Sequence, residues 1–191
     1  MVKKIDEFNA VDRIGVTLLD NHVHFLLGDI STENINETIK WIVYENLDKK
    51  QTKKLTLYIN SQGGDLYEAL GLIDVMQSSH HPIKTIGLGS IMSAAFLIFA
   101  SGTKGERYIG QNTGIMCHQF SGSDGEVKYH DIKAMVKEND RLNERMIDVL
   151  IASTGLDSNT IKKKLLSPSD VYLSAEEMIE FSAADYILET I

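Results

Sequence analysis

The 191-residue chain carries 27 acidic and 19 basic side chains, a formal charge of −8, with 43% hydrophobic and 24% charged residues. A chain of this length buries about 70% of its unfolded surface, so one domain over residues 1–191 is expected, and the acidic balance argues against a phosphate-backbone binder. A single cysteine, Cys117, excludes an internal disulfide and a multi-thiolate metal site and suits a reducing, cytoplasmic setting.

The N-terminal run from Met1 to Glu7 has no apolar signal core, and its early acids do not suit a transit peptide. Residues 23–28 read as a short strand. Residues 32–45 read as a helix, with Ile35, Ile39, Ile42 and Val43 at three- and four-residue steps. Leu55 to Asn60 is a second strand, stopped by Ser61-Gln62-Gly63-Gly64, and residues 65–79 show helical spacing through Leu66, Leu70, Ile73 and Met76. After Pro82 a third strand, 83–88, leads into a segment read as helical over 90–101. The apolar run from Ile86 to Ala100 is too short and too interrupted for a bilayer, so no membrane partner is expected. Short strands follow at 106–109 and 114–118. A long helix over 129–153 is polar in its first half, which predicts projection from the body. Terminal helices are expected at 158–165 and 174–181, the latter opened by the capping-box pattern Ser174-Ala175-Glu176-Glu177. Strands alternating with helices predict an α/β fold with a largely parallel sheet.

Two strand–turn–helix junctions carry residues suited to chemistry. Gly63-Gly64 can turn backbone N–H groups into a cleft at a strand end. Ser90 and Ser93 bring hydroxyls to a helix start, where a serine suits a nucleophile beside an oxyanion-binding N–H pair. The plainer expectation for Ser93 is an N-cap or a small packing residue, and Ser-Ala-Ala-Phe lacks the glycines of a Gly-x-Ser-x-Gly elbow. Among the six histidines, His22 and His24 share a strand face without an evident third metal ligand, so no cofactor is expected. His80 and His81 read as the end of a helix, His130 as solvated. His118, ending the apolar strand Gly114-Ile115-Met116-Cys117, is equally readable as a base or as a buried structural histidine. Cys117 reads as packing more readily than as a nucleophile. Spacing alone does not select the orienting acid, and Asp65, Asp124, Asp131, Asp140, Asp148, Asp157, Asp170 and Asp185 stay open.

From about Arg13 to the C-terminus the chain resembles the ClpP family of self-compartmentalising serine peptidases. The likeness rests on Leu57-Tyr58-Ile59-Asn60-Ser61-Gln62-Gly63-Gly64, on residues 85–96 followed by Gly102-Thr103-Lys104-Gly105-Glu106-Arg107, on Met116-Cys117-His118-Gln119, and on Asp170-Val171-Tyr172-Leu173-Ser174-Ala175. The resemblance implies a ClpP/crotonase-like fold of repeated β-β-α units with a parallel sheet core and a protruding handle, about residues 119–153. It implies Ser93 as nucleophile, His118 as base and Asp170 as the acid. Gly64 and Ala94 become the oxyanion donors, and Gly63, Phe120, Ser121 and Gly122 belong to the region that pairs with an extended peptide. It further implies heptameric rings stacked to a tetradecamer, an unfolded protein or peptide substrate, and a AAA+ unfoldase ATPase as partner; the chain itself has no P-loop.

Several positions depart from the family pattern. Gln62 replaces the proline of the glycine loop, Ala94 the usual methionine after the serine, and Phe120 the proline after His-Gln. Pro168-Ser169 stands where an acid–arginine pair makes contacts between rings, and residues 1–12 have little likeness to the axial loop. In the ATPase-docking groove Tyr58 is kept, while Thr56 replaces a second tyrosine. Other readings are a catalytically weak or silent ring or scaffold subunit, a crotonase-like acyl-CoA enzyme, and a phage-type processing homologue that works without an ATPase.

Overall fold

The structure, a computed structural model, describes residues 9–48, 52–122 and 128–190. The expected axial segment therefore lies outside the described residues up to position 8. So does the 123–127 portion of the expected handle and peptide-pairing region.

The described elements, in chain order, are α1 (Ala10–Asp20), β1 (Val23–Leu27), α2 (Thr32–Glu45), β2 (Leu55–Ser61), α3 (Leu66–Ser78), β3 (Ile83–Met92) and α4 (Ala94–Ala100). They continue with β4 (Arg107–Ile109), β5 (Gly114–Cys117), α5 (Tyr129–Thr154), α6 (Ser158–Lys164), β6 (Val171–Leu173), α7 (Ala175–Glu180) and β7 (Tyr186–Ile187). The fold is mixed α/β with a mostly parallel sheet, as expected. Strands run β1-β2-β3-β4-β7, all pairs parallel, with β5 parallel to β3 and β6 antiparallel to β5.

Local chemistry accounts for the helix starts. Ser31 caps α2 by accepting from the Asn34 N–H, and Asp65 caps α3 through the N–H groups of Tyr67 and Glu68. The expected box opens α7, with Ser174 and Glu177 each accepting the other's backbone N–H. Gly155, left-handed at φ 78°, ends α5. Alternate residues of β2, Leu55, Leu57 and Ile59, enter the core with Ile35 and Ile42 of α2 and Ala69, Leu72 and Ile73 of α3. Helix α4 is buried at all seven positions, so it forms the centre of the core.

Strand β3 is longer than expected and forks. Thr85 to Gly87 pair with β4, whereas Ser90 to Met92 pair with β5. The hand-over occurs at Gly89, which is left-handed at φ 67°, and the Asn60 carboxamide oxygen holds the Ser90 N–H at 3.0 Å. Ser90 to Met92 are thus strand, where the sequence reading had helix. Small and apolar residues serve either element, and pairing with β5 decides. The fork places Ser93, at the end of β3, beside His118, at the end of β5.

Other expectations shift too. Helix α3 ends at Ser78, so His80 and His81 lie beyond it. His81 is 2% exposed and bridges two segments: its Nδ1 lies 3.2 Å from the Lys53 N–H, which donates to it, and its Nε2 lies 3.0 Å from the Glu45 carbonyl. That pattern requires the neutral ring protonated at Nε2. His24 stacks on Trp41 at 5.1 Å, and burial, partly opposed by the charge of Glu37, holds it below the usual histidine range. The first half of α5 is exposed and the second half packs through Leu142, Met146, Ile147 and Leu150, as its polarity predicted. Arg107 is fully buried. It donates from Nε and Nη2 to the Asp185 carboxylate at 2.9 and 2.7 Å and from Nη1 to the carbonyls of Ala100 and Ser153, tying β4, α4, α5 and the approach to β7 together.

Candidate active site

Ser93 is the residue between β3 and α4, with φ 54° and ψ −125°. A left-handed φ costs a side chain with a Cβ of order 1–3 kcal/mol, so the surrounding structure must hold it there. Its N–H donates to the Met116 carbonyl at 2.8 Å, which locks the turn to β5. Ser93 occupies the N-cap position of α4 but makes no side-chain capping bond. Its hydroxyl instead lies 2.7 Å from His118 Nε2. The strained strand-to-helix turn resembles that of a nucleophile elbow, although the flanking glycines are absent.

The missing glycine is supplied from another strand. A Cβ on Gly63 would lie 2.6 Å from the Ser93 Cβ and 2.8 Å from the Met92 carbonyl oxygen. Only glycine lets the loop after β2 pass under the serine turn. Gly63 itself is at φ 102° and Gly64 at φ 148°. Ile30 bridges Gly64 in parallel fashion: the Ile30 N–H donates to the Gly63 carbonyl and the Asp65 N–H to the Ile30 carbonyl, both at 2.8 Å. In such a bridge the central residue's own N–H points to the opposite edge. For Gly64 that is the edge away from Ile30. The Ala94 N–H, the first of α4, has no carbonyl within its own helix.

Gly64, Ser93, Ala94, His118, Phe120 and Ser121 line one cleft of about 210 Å3, closed on its apolar side by Leu66 and Met146. Among the residues expected to bind peptide, Phe120 and Ser121 are on this cleft. Gly63 is buried behind Ser93, and the exposed Gly122 is not among the cleft's lining residues. Asp170 precedes β6, which pairs with β5, and this pairing brings its carboxylate to the far side of the imidazole. Its Oδ1 lies 4.0 Å from His118 Nδ1, and its side chain is 55% exposed against 19% for His118. The distance exceeds that of a hydrogen bond.

Cys117 lies next to His118 but points into the core, 1% exposed, and burial pushes its thiol up to about 12. It is packing and not a second nucleophile. Among the described residues no group of three or more His, Cys, Asp or Glu is arranged to hold a metal ion. The larger hollow of about 730 Å3 between α1, β1 and α2 contains none of these site residues. Sequence reasoning missed Leu66, Met146, Gln119 and Asn143. The first two were visible only as apolar helix positions, Gln119 only as the residue after His118 in its motif, and Asn143 carried no signal at all.

Ser93 hydrogen-bonded to His118, with Asp170 behind the ring and Gly64 and Ala94 on the same cleft, is an arrangement compatible with a serine hydrolase, set on a mostly parallel α/β sheet. A family model described as Clp protease matches residues 6–191. Curated relatives include the "ATP-dependent Clp protease proteolytic subunit 1" of Prochlorococcus marinus strain MIT 9312, 32% identical over 173 residues, 90% of this chain and 86% of the relative. The protein of the same name from Rhodopirellula baltica is 30% identical over 176 residues, 92% of this chain and 75% of the relative. The chain belongs to the Clp protease family.

Proposed function

We propose that this chain is a serine endopeptidase subunit that cleaves unfolded polypeptides to short peptides. The observation that carries the reading is the 2.7 Å contact between Ser93 Oγ and His118 Nε2 at a backbone position held in a strained conformation. Ser93 Oγ attacks the scissile carbonyl carbon while His118 Nε2 takes the hydroxyl proton. The carbonyl oxygen becomes an oxyanion that accepts from the N–H groups of Gly64 and Ala94, each worth on the order of 3 kcal/mol in the transition state. The imidazolium then returns the proton to the leaving amine, which frees the C-terminal product and leaves an acyl ester on Ser93. Water, deprotonated by His118, attacks that ester, releases the N-terminal product acid and restores the serine. Asp170 stabilises the imidazolium and holds the ring, for which its carboxylate must approach by about 1 Å to reach hydrogen-bond distance.

Main-chain pairing of an extended peptide beside Phe120 and Ser121 gives weak sequence preference, because every peptide offers the same N–H and C=O groups. Selectivity then has to come from confinement, through heptameric rings stacked to a tetradecamer with the exposed half of α5 as handle, working in the cytoplasm. The relatives' names contain "ATP-dependent", which favours a AAA+ unfoldase as partner. A docking surface for it is supported by one row across five strands, Phe25, Tyr58, Tyr108 and Tyr186 with the buried Ile86 between them. Phe25 stacks on Tyr58 at 4.8 Å, and Phe25 and Tyr186 are 41% and 51% exposed.

The reading is tested by incubating the protein and its Ser93→Ala variant with an unfolded protein and sizing both by sedimentation. Cleavage only by the unsubstituted chain, with both running as seven- or fourteen-subunit particles, is expected. A monomer at micromolar concentration contradicts the compartment, and cleavage by the variant contradicts the nucleophile. Assembly without cleavage by either protein favours the scaffold reading.

A further inference from the structure

The ladder that positions His118 ends one residue before it, at the pair Cys117 and Val171. Beyond that point no sheet partner holds the chain among the described residues, although the imidazole must stay within hydrogen-bond reach of Ser93. Two side chains take over. The Gln119 Nε2 donates to the Leu166 carbonyl at 3.0 Å, and the Phe120 N–H donates to Asn143 Oδ1 at 2.9 Å. Asn143 is half-buried on the packed half of α5, and its own Nδ2 donates to the Asn139 carbonyl at 3.1 Å. That second bond fixes which end of the carboxamide faces Phe120, so the acceptor is already oriented.

Resting on the serine-peptidase reading above, we propose that Asn143 is a positioning residue of the site: its carboxamide stands in for a neighbouring strand and holds the His118–Phe120 segment against the cleft. The chemistry needs an acceptor there because this chain has an N–H at 120, where a proline would have none to satisfy and would restrict φ by its ring. A half-buried N–H left without a partner is costly, so a segment released by Asn143 turns outward to find water. Phe120 and His118 lie two residues apart and both line the cleft, so that turn displaces His118 from its hydrogen bond with Ser93. A misplacement of about 1 Å costs on the order of 100-fold in rate when geometry carries the catalysis.

The experiment uses the full chain and two variants. Asn143→Leu keeps the volume and removes the acceptor; Asn143→Asp keeps an acceptor oxygen. Amide hydrogen exchange at Phe120 is read by fragment-resolved mass spectrometry, and the kinetics of a fluorophosphonate probe at Ser93 are split into its binding constant and its maximal labelling rate. Expected are lost protection and a 10- to 100-fold lower maximal rate in Asn143→Leu, with the binding constant within about 2-fold. Recovery of both in Asn143→Asp is also expected. Unchanged protection in Asn143→Leu, lost protection with an unchanged rate, or equal loss in both variants overturns the proposal. Failure of the peptidase reading shows separately, as no labelling of Ser93 in the unsubstituted protein, and it removes this role as well. A leucine variant that does not fold leaves Asn143→Asp to decide: protection and rate within about 3-fold of the unsubstituted chain support the role, and a larger loss of either overturns it.

Discussion

Gly63 and Ser93 approach so closely that one added carbon on the glycine would lie 2.6 Å from the serine Cβ. The two residues follow different strands, β2 and β3, and the room given by one is what lets the other take φ 54°. Gly63→Ala meets both this overlap and a left-handed backbone at φ 102°. The substitution is expected to cost about 3 kcal/mol of stability and most of the Ser93 reactivity. Thermal unfolding and fluorophosphonate labelling check it; a variant as stable and reactive as the parent contradicts the close approach.

Arg107, which is buried, and Asp185, which is half-buried, form a bidentate pair. Arg107→Met leaves the carboxylate without its main partner and is expected to cost about 3–5 kcal/mol by denaturant titration. Burial alone would push the Asp185 carboxyl up, but the hydrogen bonds and charge of Arg107 outweigh it and hold it below the usual range. A depressed carboxylate contributes stability that is complete above its unfolded value, about 3.9, and is lost as pH falls through the lower folded value. Asp185→Asn should therefore be less stable at neutral pH and lose less on acidification. An acid limb as steep as the parent's contradicts this.

Cys117 gives a chemical test of its setting. With the thiol at about 12 and buried, iodoacetamide at pH 8 should leave it unmodified in the native protein and alkylate it after denaturation. Rapid alkylation of native protein would place the sulfur elsewhere.

Asp170→Ala should lower the labelling rate by roughly 100- to 10,000-fold while leaving residual reactivity, because the oxyanion donors and the Ser93–His118 contact remain. A rate unchanged from the parent would remove Asp170 from the site.

Much of the fold could be read from periodicity. Helix α2 and the long α5 carry apolar residues at three- and four-residue steps, and α7 shows its cap in Ser174 and Glu177. Helix α1 went unread although Val11, Ile14 and Leu18 recur at three- and four-residue steps; Val11 and Ile14 of that stripe are exposed, and the Asn9 side chain caps the helix by accepting the Asp12 N–H. Strand β7 is two residues long and exists only through its pairing with β4. In the site, residue types identified candidates, but Ser93 and Gly63, Ser93 and His118, and Phe120 and Asn143 meet through pairing and packing between distant segments. Motif order linked Gly63, Ser93 and His118 to one site; nothing in residues 139–143 marked the carboxamide that holds Phe120.

The most direct measurement is mass mapping of the fluorophosphonate adduct on the intact protein and on the His118→Ala and Ser93→Ala variants. One adduct per chain on the Ser93 peptide, strongly slowed in His118→Ala and absent in Ser93→Ala, is the expected result. An adduct on another residue, or the same labelling in Ser93→Ala, would contradict Ser93 as the nucleophile.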